Sequence, residues 1–355
     1  HPAYGTTASF TRIPPSVSVA ATWPRSFQEA DSRYLTTEPL FSNFLGASLT
    51  VGAFFVVKLS RKSHCKINLL LNVVGRRDDG FHELEMLMLP VPIFDRLDLE
   101  LPNDDIELTC NQPGIPTDSG NLACRAAESF AARVGIADGV RIHLEKSIPT
   151  EGGLGGGSSN AAATLLALNE LHGTPLDQAA LHELATELGS DVPFFLQNQA
   201  AIAKGRGEVI KPVAQLAALD GKSLLLIRPG FGVPTPWAYQ ALAKFPGAKS
   251  RPAGQADKLA KRLANGPLAE AAESFYNSLE APVFNKFPLL KLIKQHALTN
   301  GAEAVLMCGS GSAIFAICPD AATAESLGRA TESAFGQQSL VQTVPLPGDL
   351  PNSSI

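Results

Sequence analysis

Paired cysteines are missing from this chain. Its five cysteines, Cys65, Cys110, Cys124, Cys308 and Cys318, are odd in number, scattered, and form no CxxC pair. That excludes a disulfide framework or a zinc ribbon as the organising chemistry and fits a reducing cytoplasm. Charge is also thin, with Asp, Glu, Lys and Arg at 18% of residues and a net charge of -5. Binding to nucleic acid rests on clustered Lys and Arg, so a general nucleic-acid binder is excluded, while a basic pocket for one small anion is not. Long apolar runs are nearly absent. Between Glu38 and Lys58 lie 19 uncharged residues, but Ser42, Asn43, Gly46, Ser48, Thr50 and Gly52 interrupt them and no basic segment stands directly before them. A membrane span or signal sequence is therefore not expected. No window satisfies G-x-x-x-x-G-K-[ST] or G-x-G-x-x-G, and the H-R-D and D-F-G signatures are missing, which excludes a Walker-type NTPase, a dinucleotide fold and a protein kinase.

What is present is a chain of 355 residues, 45% hydrophobic, with 30 Gly and 26 Pro. That length suits two domains. Residues 1–50 show no sustained period and, up to Glu38, carry three basic against three acidic residues. They are expected to be an extension, disordered or derived from a misplaced start. Strand patterns are read at Phe54 to Leu59, Lys66 to Val74, Leu97 to Leu101, Ile106 to Cys110 and Val140 to Leu144, and helices at Asn121 to Val134, Ala161 to Leu171 and Asp177 to Leu188. A second block reads as strands at Ser223 to Ile227, Ala304 to Met307, Ala313 to Cys318 and Ser339 to Val344. Helices are read there at Gln255 to Leu263, Leu289 to His296 and Ala321 to Ala334. The expected class is α+β, with domains at 51–204 and 205–345 and a tail at 346–355.

The strongest chemical signal is Gly152-Gly153-Leu154-Gly155-Gly156-Gly157-Ser158-Ser159, entering an Ala-rich helix. Five glycines in six positions are expected to serve close approach of the backbone to a ligand rather than packing. At a helix N-terminus the unpaired N–H groups and the helix dipole favour a phosphate. A second loop, Gly309-Ser310-Gly311-Ser312, reads by itself as a hairpin turn between two apolar strands. Asp191 follows a helix and precedes Val192-Pro193-Phe194-Phe195, so it is either a turn cap or a base held by rigid neighbours. Lys66 is a lone cation in an apolar strand, where a partner is needed. An Asp–Lys pair beside a phosphate loop is the minimum apparatus for moving a phosphoryl group.

These segments, in this order, resemble the GHMP kinase superfamily and, within it, the kinases of 4-diphosphocytidyl-2-C-methyl-D-erythritol. Lys66-Ile67-Asn68, the Gly152 to Ser159 loop and Gly309 to Ser312 match the three superfamily motifs. Gly75 to Leu84, Gly189 to Phe195 and Pro229 to Pro236 match the narrower group. The likeness runs from about Val56 to Val344 and implies a two-domain fold with ATP and substrate meeting in the cleft between the domains. It also implies transfer of the ATP γ-phosphate to the substrate 2-hydroxyl, in the methylerythritol phosphate route to isoprenoids and terpenoids. By resemblance, Asp191 is the base and Lys66 its partner. Asn68, Phe81, His82, Tyr239 and Thr235 belong to the substrate site, with Phe81 and Tyr239 sandwiching the cytosine and His82 reading its edge. Gly152, Gly153, Leu154, Gly155, Gly156, Gly157, Ser158, Ser159, Asn121, Lys146, Gly309, Ser310 and Gly311 belong to the ATP site. Magnesium is implied, with Ser158 or Ser159 as contacts and no ligand set announced. A cytoplasmic monomer or weak homodimer acting on a small molecule is expected, without nucleic-acid or membrane partners. Four positions depart from the family pattern: His64-Cys65 stand for Pro-Ala, Glu151 for a small residue, and Cys308 for Ser. Two alternatives stay open. One is a GHMP kinase with another acceptor, against which Phe81, His82 and Tyr239 speak. The other is a silent nucleotide sensor, against which Asp191 and Lys66 speak.

Overall fold

The computed structural model describes residues 35–36, 56–213, 215–249, 251–336 and 340–346. The expectation for residues 1–50 therefore lies outside the described residues, apart from Leu35–Thr36 (β1), which pair with Val56 and Val57. The tail from residue 347 also lies outside. Leu346, the first residue of the expected tail at 346–355, is described: it is buried and donates its N–H to the Lys222 carbonyl. Among the described residues no helix is long and apolar enough to cross a membrane.

Two long strands organise the first domain. Val56–Arg76 (β2) and His82–Asn103 (β3) form an antiparallel hairpin around the polar turn at 77–81. The two strands read separately at Phe54 to Leu59 and Lys66 to Val74 are thus one, since the polar residues between them continue the ladder on a half-exposed stretch; Phe54 and Phe55 lie outside the described residues. Up to Lys62 only one face of β2 is covered, whereas Ser63 to Val73 is buried on both faces. Leu71 and Val73 enter one core, and Cys65, Ile67 and Leu69 enter the other. Bulges at His64/Cys65, Asn68/Leu70 and Val73/Gly75 re-aim side chains along the buried half.

The sheet is completed by Glu107–Cys110 (β4), Gly139–Glu145 (β5), Ala201–Gly205 (β6) and Val209–Pro212 (β7), in the order β1-β2-β3-β5-β4 with β6 and β7 extending from β3. Helices Leu122–Val134 (α1), Gly156–Leu171 (α2) and Gln178–Leu188 (α3) cover one face. Helix α2 begins five residues before the expected Ala161, inside the glycine run, because it starts from Gly155 in the left-handed conformation and needs no side-chain cap. Since β6 and β7 belong to this sheet, we propose the domain boundary after Pro212; a division at Lys204 would cut β6.

The second domain is a four-stranded antiparallel sheet built from Ser223–Arg228 (β8), Ala304–Met307 (β10), Ile314–Cys318 (β11) and Leu340–Pro345 (β12), in the order β10-β11-β8-β12. The short Tyr276–Asn277 (β9) returns to pair in parallel with β2. Helices Thr235–Ala241 (α4), Gln255–Asn265 (α5), Leu268–Ala272 (α6), Glu280–Lys286 (α7), Pro288–Thr299 (α8) and Ala321–Phe335 (α9) surround it. Alternation divides the sheet: Leu225, Ile227 and Val305 sit in the first core, while Leu224, Leu226 and Leu306 join the hairpin's second face. Buried Glu85 on β3 accepts the N–H groups of Gly254, Gln255 and Ala256 and so caps α5 from the other domain. The result is the two-domain α+β architecture with a cleft between the domains.

Candidate active site

The cleft is a cavity of about 1310 Å³. One wall is the loop from Pro149 to Ser158 leading into α2. The first α-helical bond runs from the Ser159 N–H to the Gly155 carbonyl (2.9 Å), so the N–H groups of Gly156, Gly157 and Ser158 are left for whatever occupies the cavity. Together with the helix dipole they form an anion site.

The glycines serve packing more than the sequence led us to expect. A Cβ on Gly153 would lie 1.9 Å from the Cys308 carbonyl oxygen, and one on Gly155 would lie 2.8 Å from Phe195 Cζ. These two glycines let the loop press on the protein, and both hold positive φ. Backbone bonds from Ser312 to the Glu151 carbonyl and from Ala313 to the Gly152 carbonyl (both 3.3 Å) join it to the Gly309-Ser310-Gly311-Ser312 turn. That turn does link antiparallel β10 and β11, and Asn277 fixes it by donating to the Met307 and Gly309 carbonyls. Gly309 and Ser310 line the cavity, with Ser310 bonded to Thr235 at the start of α4 (2.8 Å); Gly311 faces Met307 instead.

Lys66, only 3% exposed, has its partners. Its Nζ donates to Asn68 Oδ1 (2.7 Å) and lies 3.6 Å from Asp191 Oδ2. Asn68, expected at the substrate site, is itself fully buried and outside the cavity lining, and its side-chain oxygen is taken by Lys66. Asp191 precedes a short 3-10 turn, Val192–Leu196, and makes no side-chain cap bond to it. Its carboxylate is one-third exposed, to the cavity.

Beyond Asp191 lies an aromatic and basic end. Burial, with the nearby Asp191 charge, raises the Tyr239 phenol pKa and keeps it protonated. His82 lies on the Tyr239 ring, and Phe81 is half-exposed under the Arg206 guanidinium at 4.8 Å. Partial burial lowers the His82 pKa, and Lys249 and Arg76 lower it further, so the imidazole is neutral at neutral pH. Arg76, Arg206 and Lys249 line this end and were not read from the sequence. Arg76 ends the long strand β2, Arg206 lies in the turn between β6 and β7, and Lys249 ends a short 3-10 turn; a cation is ordinary at each of these places, so spacing gave no sign of them.

The opposite end is apolar, lined by Ile115, Pro116, Leu122 and Leu144. Asn121 lines it, but its amide is engaged in the protein, capping α1 at Ala123 (3.0 Å) and donating to the Pro116 carbonyl (2.8 Å). Lys146 also lines the cavity while bonded to Asp95. Ser159 departs from expectation: it is buried, bonded to Ser63 (2.7 Å) and outside the lining. As the fourth helical residue it points to the hairpin. Among the described residues no group of three or more His, Cys, Asp or Glu could hold a metal.

The chain matches the models for the GHMP kinases N terminal domain over residues 121–203 and the GHMP kinases C terminal over residues 258–337. It is 39% identical over 272 residues to a 4-diphosphocytidyl-2-C-methyl-D-erythritol kinase of Syntrophotalea carbinolica, covering 76% of this chain and 93% of the relative. A kinase of the same description from a Synechococcus species is 41% identical, over 72% of this chain and 84% of the relative. A crystal structure of 4-(cytidine 5'-diphospho)-2C-methyl-D-erythritol kinase superposes with a TM-score of 0.66 at 37% identity, covering 81% of this chain and all of that one. An anion loop, a Lys–Asp pair and this similarity agree: the chain belongs to the GHMP kinase superfamily of small-molecule kinases.

Proposed function

We propose that the chain transfers the γ-phosphoryl group of ATP to the 2-hydroxyl of 4-diphosphocytidyl-2-C-methyl-D-erythritol, giving the 2-phosphate and ADP. The observation that carries this reading is the continuity of one cavity. Lys66 lies against Gly155 of the anion loop and reaches Asp191, which neighbours Tyr239, whose ring packs at a tilt against His82. A donor phosphate, an acceptor hydroxyl and a flat polar base thus have adjoining places. A non-nucleotide acceptor would need no His82, Phe81 and Tyr239.

Triphosphate oxygens would meet the N–H groups of Gly156 to Ser158, and adenine would lie among Ile115, Pro116, Leu122 and Leu144. Asp191 accepts the hydroxyl proton as the acceptor oxygen bonds to the γ-phosphorus and the bond to the ADP oxygen breaks. Lys66 offsets the negative charge on the transferring group, and Asn68 fixes its direction. Magnesium usually keeps several waters and takes few protein ligands beside nucleotide phosphates, which fits a cavity wall offering the Ser158 hydroxyl, while the Glu151 carboxylate lies against Gly232. Ser158 would hold it together with the nucleotide phosphates, and it would neutralise phosphate charge.

At the acceptor end, Arg76, Arg206 and Lys249 suit a diphosphate, while neutral His82 can donate to or accept from a cytosine edge. The test is ADP release with the cytidine substrate against mevalonate, homoserine and galactose. Activity confined to the cytidine compound is expected; activity on one of the others alone would overturn the assignment.

A further inference from the structure

Asp95 is fully buried on β3, and nothing in the transfer chemistry uses it. Its carboxylate gathers four donors. Oδ1 accepts the N–H groups of Ser147 (2.8 Å) and Ile148 (2.7 Å), where the chain leaves β5 for the phosphate loop. Oδ2 accepts Asn160 Nδ2 (2.9 Å), from the first turns of α2 where the loop ends, and the Lys146 ammonium. Ser63, directly opposite Asp95 across the hairpin, accepts from the same Asn160 amide (3.0 Å) and donates to Ser159.

We infer that Asp95 is the positioning residue of the phosphate loop, holding its entry and exit on one carboxylate so that the anion site is formed before nucleotide arrives. The inference rests on the ATP side of the function proposed above. Strand β5 ends at Glu145, so the N–H groups of Ser147 and Ile148 have no further ladder partner, and both are satisfied by Asp95. The Lys146 backbone is also pinned, its N–H donating to Asn111 Oδ1 (2.7 Å). Lys146 Nζ sits 2.9 Å from where a Cβ on Gly156 would be, so the ion pair turns its positive end toward the first helical residue of the loop. Without the carboxylate, buried donors at both loop ends lose their acceptor in a dry setting, and the loop must be ordered by the nucleotide at the expense of affinity.

The experiment is calorimetric titration of the full chain with a non-hydrolysable ATP analogue and magnesium, and separately with the cytidine substrate. Asp95→Asn keeps an oxygen for Ser147 and Ile148 but loses the charge that holds Lys146. It should weaken the analogue about tenfold or more, while the cytidine substrate changes by less than about twofold. Glu85→Gln is the control: an equally buried carboxylate accepting backbone N–H groups elsewhere, whose loss should lower the melting temperature and leave analogue affinity unchanged. Unchanged analogue binding in Asp95→Asn, or equal weakening in both variants, would overturn the inference. Should Asp95→Asn not fold, hydrogen exchange on the nucleotide-free natural chain decides. Protection of the Ser147 and Ile148 amides comparable to that of β5 supports the clasp, and exchange at free-peptide rates removes it. A chain that binds the analogue but phosphorylates no cytidine compound overturns the reaction proposed above and leaves the role of Asp95 standing.

Discussion

His82 lies on the ring of Tyr239, with centroids 5.1 Å apart and planes 30° from parallel. The family likeness led us to expect Phe81 and Tyr239 as two walls with His82 at the base's edge. In the structure His82 packs at a tilt against Tyr239, and Arg206 covers Phe81. A base entering between the aromatics therefore displaces the imidazole or packs beside it. Tyr239→Leu should raise the KM for the cytidine substrate about tenfold, because stacking is worth roughly 1–3 kcal/mol per base. Tyr239→Phe keeps the ring and loses only a protonated hydroxyl, so its KM should stay within about twofold. His82→Ala should weaken the cytidine substrate and spare ATP. A selective loss of ATP affinity in that variant would place the nucleotide base at the wrong end of the cavity.

The 3.6 Å approach of Lys66 Nζ to Asp191 Oδ2 joins the buried half of β2 to the turn after α3. Asp191→Asn preserves shape and removes the proton acceptor. Turnover should fall about 100-fold or more with the cytidine substrate still bound at near-natural affinity. Steady-state kinetics together with a binding titration separates the two effects. Undiminished kcat would remove Asp191 from the chemistry.

Lys66 and Asp191 were legible in the sequence because each breaks a local rule: a cation inside an apolar strand, and an acid beside two Phe. The glycine run was equally plain, although its reason was only partly so. Gly153 is required by a carbonyl of Cys308, more than 150 residues away in the chain, and no local pattern encodes that contact. Asp95 was within reach. Carrying the alternation of Leu97, Leu99 and Leu101 back one step places Asp95 on the buried face, the same sign that singled out Lys66. Arg206 and Lys249 left no such mark, since their significance comes from the cavity they border. The fold was read best where periodicity was strong, as in α1, α9 and the second-domain strands. It was read worst in the first half of β3, where Leu84 to Val91 is buried on both faces and shows no alternation.

Gly153→Ala tests the packing role of the loop. The added methyl meets a backbone oxygen that cannot turn aside, at φ 76° where an L side chain is already strained. Destabilisation of roughly 2–3 kcal/mol is expected, together with a higher KM for ATP because the loop must shift. Gly157→Ala is the contrast: the nearest atom to its Cβ is Leu122 Cδ1 at 3.8 Å. Stability should be unchanged in thermal melts of the nucleotide-free chain, and any loss of activity should appear as a higher KM for ATP.

His64, the buried imidazole before Lys66 on β2, gives the fold a dependence on pH. The ring is buried against Phe194 and Phe195, with Nδ1 near the Cys65 carbonyl (3.1 Å) and Nε2 near Asn198 Oδ1 (2.9 Å). Burial lowers its pKa from 6.5, against the opposing pull of those two hydrogen bonds. In the unfolded chain the ring titrates near 6.5. Below that pH the unfolded state takes up a proton that the native ring refuses, so this contribution to stability is complete above about 6.5 and is lost as pH falls toward the lowered native value. His64→Phe keeps an aromatic ring in the same packing and cannot titrate. The natural chain should exceed the variant in melting temperature by most at pH 7.5, and the gap should narrow as pH falls to 5.5. A gap that widens with acidification would mean that the native state prefers the charged ring, held by the Cys65 carbonyl and Asn198, and that desolvation is the weaker of the two effects.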